Sequence, residues 1–238
     1  DHMNKDVLLY AETLDDFERA RIAMANRIRS LSEIGYEDLS AQTMLNNLSK
    51  LEAEATKGLQ KAITGHPLGP WVTAQAGVGA KQAGRLLAVI GNPAWHVKEE
   101  RPRKLSELWS YCGYGDAKQQ VRRRGQQGNW NPVAKMRVHL IAAACIRMDG
   151  KPDKNGRSRA RSPYRDVYDD AREYYKGSVH PEACVRCGPS GKPAPAGSKR
   201  SDGHLHAIAL RAVCKEILRD LWIEANKLAE VHEPAESC

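Results

Sequence analysis

Two thiols separated by two residues, Cys184 and Cys187, stand ahead of two imidazoles, His204 and His206, in the stretch HPEACVRCGPSGKPAPAGSKRSDGHLHA. A C-x2-C turn brings two thiolates to one point, and a later His pair at a helix start can close a tetrahedron around zinc. Thiolate and imidazole donors favour zinc over magnesium or calcium, which take oxygen ligands. Four protein ligands leave no open position, so such a site is structural and not catalytic. His204 and His206 are only two apart, and both ligate only where the chain is not yet helical. If the helix already includes both, His180, just upstream of the cysteines, replaces one of them. The expected ligands are therefore Cys184, Cys187, His204 and His206, with His180 as the substitute. A knuckle here would pin a polar, Pro/Gly-rich loop that otherwise has little reason to fold. The plainer alternative is a reduced loop with two idle cysteines.

A second chemical candidate is the run from Pro70 to Gly91, PWVTAQAGVGAKQAGRLLAVIG. It reads as helix, Gly-Val-Gly hairpin, helix: Ala83, Leu86, Leu87 and Ile90 recur at amphipathic spacing, and Val78 plugs the turn. Gly77 and Gly79 permit positive φ and a close backbone approach. The second helix then opens with free N–H groups and a partial positive charge, which suit a phosphate oxygen. That combination is a helix-hairpin-helix, which grips the sugar-phosphate backbone without reading sequence. Gly77, Val78, Gly79, Lys81, Gln82 and Arg85 are its expected contact residues. An αα-hairpin with a glycine turn and no ligand is the plain alternative.

Charge supports a polyanionic partner. Lys and Arg number 37 against 29 Asp and Glu, giving +8 and a pI near 9.2. Between Lys118 and Arg165 there are 13 Lys/Arg and only two acids, Asp149 and Asp153. Such a block beside a phosphate-binding hairpin is an electrostatic footprint for DNA, with RNA as the other candidate. Arg122, Arg123, Arg124 and Lys135 are its expected contacts, in and just after the exposed loop QQVRRRGQQGNWNP, where Trp130 is either a stacking platform or a lid on the core. The basic block has no amphipathic helix with a bulky apolar face, which argues against a membrane surface. No apolar run approaches a membrane span and no signal peptide is read at the start, so a cytoplasmic protein is expected.

The elements that must position these residues are helical. Residues 5–31 form an amphipathic helix with Leu8, Leu9, Ala11, Phe17, Ile22 and Ile28 as its expected buried side. After a break at 32–40, a helix over 39–63 carries Met44, Leu48, Leu51, Ala55 and Leu59. The pair makes an antiparallel hairpin or an arm for homo-oligomerisation. Ser106 is a plausible N-cap for LSELWSYCGYG, and Pro132 opens a helix whose expected apolar face is Val133, Met136, Leu140, Ala144 and Ile146. DGKPDKNGRSRARS reads as a flexible linker or a segment ordered by nucleic acid. Two helices follow, SPYRDVYDDAREYYKG and the long C-terminal one, which buries Ile208, Val213, Ile217, Leu218, Leu221, Trp222 and Leu228. Cys112, Cys145 and Cys214 sit in apolar helical patterns and read as buried thiols. No strand signal appears. The expected fold is all-α, in three parts: a helical arm over 4–65, a hairpin core over 66–150, and C-terminal helices with a zinc knuckle over 151–238.

Three blocks in order, GVGAKQAGRLLAVIG, LSELWSYCGYG and RRRGQQGNWNPVAKMRVHLIAAACI, resemble the C-terminal domain of the bridge-RNA-guided insertion-sequence transposases of the one-ten type. SPYRDVYDDAREYYKG and HLHAIALRAVCKEILRDLW resemble that family's closing helices, so the resemblance spans about Gly69 to Leu221. It implies an all-α DNA-handling domain from a mobile element or phage. Family members begin with a RuvC-like α/β domain holding magnesium on four acids, and residues to 65 here are helical with no strand to carry them. The family's nucleophilic serine lies in the loop after the aromatic-Gly helix end, and the matching stretch, GDAKQQVRRRGQQG, has none. The resemblance therefore implies binding without chemistry. Two rivals stand beside it. A DNA glycosylase/lyase would use Lys81, two residues past the second hairpin glycine, although an acid eighteen residues on is Glu99 and no iron–sulfur cysteine cluster follows. An active transposase subunit would receive its nuclease domain in trans.

Overall fold

Antiparallel pairing of the two N-terminal helices follows from the short polar break between them. In the computed structural model, which describes residues 2–116, 120, 125–189 and 192–232, α1 (His2–Ser32) and α2 (Leu39–Gly65) flank that break. Asp38 starts α2 by accepting from the Ala41 N–H at 3.1 Å. Two compact units result, one of Asp1–Ala74 with Gly79–Asn92, the other of Gln75–Val78 with Pro93–Cys238.

The first unit packs α3 (Gly69–Ala74) and α4 (Ala80–Ile90) on the base of the α1–α2 pair. Its core is Val7, Ala11 and Leu14 from α1, Ala55, Leu59 and Ile63 from α2, and Val72, Ala83, Leu86, Leu87 and Ile90. Gly84 permits the close approach of α4, since a Cβ there would lie 2.7 Å from Leu59 Cδ1. Only Ala11 of the expected α1 side is buried; Leu8, Leu9 and Ile22 are exposed, as are Met44 and Leu51 on α2. The reason is geometric. Nothing in this unit covers the pair beyond its base, and no residue from 15 to 54 is buried.

In the second unit α8 (Asp202–His232) is the spine against which α5 (Leu105–Tyr111), α6 (Pro132–Arg147) and α7 (Pro163–Tyr174) pack. Helix α6 starts as expected. Pro132 occupies its first turn, and Asn131 Oδ1 accepts from the N–H groups of Val133 and Ala134 at 2.9 and 3.0 Å. Its buried face is the opposite of the expected one: Ala134, Val138, Ile141, Ala142 and Cys145 are inside, while Val133, Met136 and Leu140 are exposed. Small side chains let α7 and α8 come close. Helix α5 starts at Leu105 and not after Ser106, because the Glu107 carboxylate accepts from the Lys104 N–H at 2.8 Å. Two indoles fasten the unit: Trp109 donates to Lys215 O at 3.0 Å and Trp222 to Arg103 O at 2.7 Å. Cys112, Cys145 and Cys214 are buried, and burial pushes their thiols up to about 12, 11 and 12.

Helix dominates, as all-α requires, with small exceptions. A two-residue antiparallel pair, β1 (Trp95–His96) and β2 (Arg101–Pro102), interrupts the loop before α5. The segment expected as a linker between α6 and α7 is a folded loop closed by an antiparallel bridge between Asp149 and Arg161.

Candidate metal centre and hairpin

A short ribbon carries the cysteines. His180 N–H donates to Ser198 O at 2.9 Å and His180 O accepts from the Gly197 N–H at 2.7 Å, while Cys184 and Ala194 exchange two bonds at 2.9 and 2.8 Å. The ribbon turns through Cys184–Cys187 and feeds into α8, whose first turn is capped by Ser201: its Oγ accepts from the His204 N–H at 3.2 Å. One ligand-type atom from each of His180, Cys184, Cys187 and His204 lies within 4.8 Å of the others. His204 Nδ1 is 3.7 Å from Cys184 Sγ and 3.3 Å from Cys187 Sγ. Bond lengths of about 2.3 Å to sulfur and 2.0 Å to nitrogen give tetrahedral edges of about 3.3–3.8 Å, and the two sulfur–nitrogen spacings of His204 fall in that range.

Two further observations test that fit. His180 is 2% exposed, and its Nε2 is buried with no hydrogen-bond partner among the described residues, an expensive arrangement for an imidazole that nothing ligates. Ser201 Oγ already accepts from His204 N–H, so its own hydrogen is free for Cys187 Sγ, 3.1 Å away, and that bond favours thiolate. The Ser201 hydroxyl bond accordingly holds the Cys187 thiol below its ordinary range. Burial, then the neighbouring His180 and the guanidinium groups of Arg200 and Arg186, push the His204 imidazole below its ordinary range, toward the neutral form. Thiolate and neutral imidazole are the forms that bind a metal.

His206 is not part of the cluster. Helix α8 begins at Asp202 and includes both histidines, so they point to different sides, and His206 Nδ1 instead sits 2.8 Å from the Tyr168 hydroxyl. His180 takes its place, which is the substitution that the helical spacing demanded.

The hairpin residues are disposed differently from their expected roles. Gly77, at φ +96°, packs against the second unit's own backbone: a Cβ there would lie 2.7 Å from Cys145 Cα. Its close approach is to protein. Val78 is buried. Gly79, at φ +66°, precedes α4 with open space beside it, which matches the permissive turn position. Lys81 Nζ is 3.7 Å from Glu18 and 3.6 Å from Glu52. The Arg85 guanidinium is buried and pairs with Asp15 and Glu18, so those acids are anchors and not merely solvated charge. Burial works against that charge, and the hydrogen bonds to Glu18 and Asp15 outweigh it. Both cations are thus engaged in ion pairs within the first unit. Gln82 is half-buried. Lys81 faces two glutamates, and Glu99 is held by Arg101 at 2.6 Å, so nothing favours a lyase centre on that pair.

Lys135 lies over two rings, 4.9 Å from the Trp130 centroid and 5.8 Å from that of Tyr114. Arg122, Arg123 and Arg124 lie outside the described residues. Sequence reasoning missed the Arg85 partners and the bridge-closed loop before α7. Asp15 and Glu18, three apart and hence on one helix face, were the available signal for the first.

No helix among the described residues is long and apolar enough to cross a membrane. Neither the family models, the curated proteins nor the solved structures contain a match to this chain.

Proposed function

We propose that the protein binds nucleic acid, DNA in the first instance, through its second unit, by contacts to the sugar-phosphate backbone. The observation that carries this reading is the partition of charge. The second unit holds 27 Lys/Arg against 18 Asp/Glu, a net +9, whereas the first holds 10 against 11. The entire basic excess therefore belongs to one unit, which is the footprint of a polyanion-binding surface. The sequence blocks resembling the one-ten transposase domain support the same class of partner. With Lys81 and Arg85 engaged in ion pairs, the hairpin supplies scaffold, and the contacts come from the cations of the second unit.

Zinc is the proposed cofactor, held by His180, Cys184, Cys187 and His204. It would cross-link the ribbon to the first turn of α8 and stabilise the fold without chemistry of its own, since four protein donors fill a tetrahedral shell. Binding by fluorescence anisotropy to duplex DNA, single strands and structured RNA over a range of salt tests the function. Steep salt dependence with little sequence preference is expected; absence of binding to all three refutes the reading.

A further inference from the structure

The end of α6 and the loop between α6 and α7 carry a cluster of exposed cations. Arg147, Lys151, Lys154, Arg157 and Arg159 are all exposed, and none makes a salt bridge to a carboxylate among the described residues. The two acids of the segment are turned to the main chain instead. Asp149 Oδ1 accepts from the Lys151 N–H at 3.1 Å, and Asp153 Oδ1 accepts from Asn155 and Arg157 at 2.8 and 2.9 Å. Arg161 is the exception among the cations: it reaches Asp166 and Asp169 at 2.6 and 3.0 Å and fixes the loop's base.

The loop also has a defined shape. Ser162 N–H donates to Met148 O at 2.8 Å, and Arg161 and Arg159 donate to Asp149 O and Arg147 O at 2.9 and 2.8 Å. Gly156, at φ +77°, forms the inner turn, where its N–H meets Asp153 O at 2.9 Å. A shaped loop presents its cations with less ordering cost than a free tail of the same composition. Duplex DNA carries one phosphate charge per about 1.7 Å of axis, so several phosphates fall within reach of such a loop. Pro152 and Ala160 are its only non-polar side chains besides glycine, so it has nothing bulky to bury in a lipid surface.

We infer that the loop over 149–161 is a phosphate-gripping element that docks on the backbone of duplex DNA. The inference rests on the nucleic-acid reading and gives it a location that the hairpin no longer supplies. Arg159 props the loop and is left intact in the test. The triple variant Lys151→Gln, Lys154→Gln, Arg157→Gln is compared with Lys98→Gln, Lys176→Gln, Lys227→Gln, which has the same net charge. Each lost phosphate contact flattens the log–log salt slope by about 0.9, so the loop variant should bind with a slope about 2–3 units shallower. The control should move by less than about one unit. Lys154→Gln alone, with a helical spectrum matching the parent, should show a third of the effect. If the parent binds duplex DNA and the loop variant keeps its slope, or loses no more than the control, the loop assignment fails while the nucleic-acid reading stands. If the parent binds no nucleic acid, both fail. Loop-dependent sedimentation with phosphatidylserine vesicles, without DNA binding, overturns the inference in favour of a membrane surface.

Discussion

Replacing His180 by Gln should strip the metal, and replacing His206 by Gln should not. The two imidazoles differ in the one respect that matters: His180 Nε2 is buried without a partner among the described residues, whereas His206 is exposed and already bonded to Tyr168. Zinc-finger sites bind zinc with about 10–16 kcal/mol at neutral pH, so one ligand of four carries about 3–4 kcal/mol, or roughly 10²–10³-fold in zinc affinity. At saturating zinc the His180 variant loses that increment of stability relative to the parent, which converts to a melting point lower by up to about 6–16 °C for a domain of this size. Losing the Tyr168 bond at the surface costs about 1 kcal/mol or less. Metal content by elemental analysis after dialysis, with chelator competition and thermal melting, reads the parent and both variants. Retention of full zinc by the His180 variant, or its loss from the His206 variant, refutes the ligand assignment. An absence of zinc from the parent refutes the site altogether.

Three other perturbations separate packing roles from binding roles. Arg85→Ala should destabilise the first unit by about 2–4 kcal/mol, below the full cost for a broken buried pair because Asp15 and Glu18 retain 30% and 28% exposure; urea melts should show this with the DNA salt slope unchanged. Gly77→Ala combines a strained positive φ with a clash on Cys145 and should cost about 2–5 kcal/mol, while Gly79→Ala, with open space beside it, pays only the dihedral cost of about 1–2 kcal/mol; equal melts for the two would contradict the packing described. The Arg101 fork, then the Lys104 N–H, hold the Glu107 carboxyl at about 2 against an ordinary 4.5; its contribution to stability is complete above about 4.5 and is lost as pH falls through about 2, and a carboxyl carbon NMR midpoint near 4.5 would contradict it.

Where the sequence carried a local rule, the fold was legible. Asn131-Pro132 announced the start of α6, and the two-residue spacing of His204 and His206 implied that a helix through both would recruit His180. The face of α6 was not legible. Val133, Met136 and Leu140 have the larger apolar side chains, but packing against α7 and α8 selects for closeness, and Ala134, Ala142 and Cys145 fit where bulk does not. Arg85 misled for a different reason. A cation at a hairpin resembles a phosphate ligand until its partners are known, and Asp15 and Glu18 are 70 and 67 residues away in the chain. The α6–α7 loop looked like a linker because its order comes from main-chain bonds to two aspartates, which leave no hydrophobic pattern.

The most direct test of the central claim is the equilibrium binding of metal-loaded protein to a short duplex of arbitrary sequence, followed over a range of salt. A backbone-gripping second unit with a net +9 predicts a log–log slope of about −3 or steeper and similar affinities for unrelated sequences. A flat slope, or no binding at low salt, would contradict it.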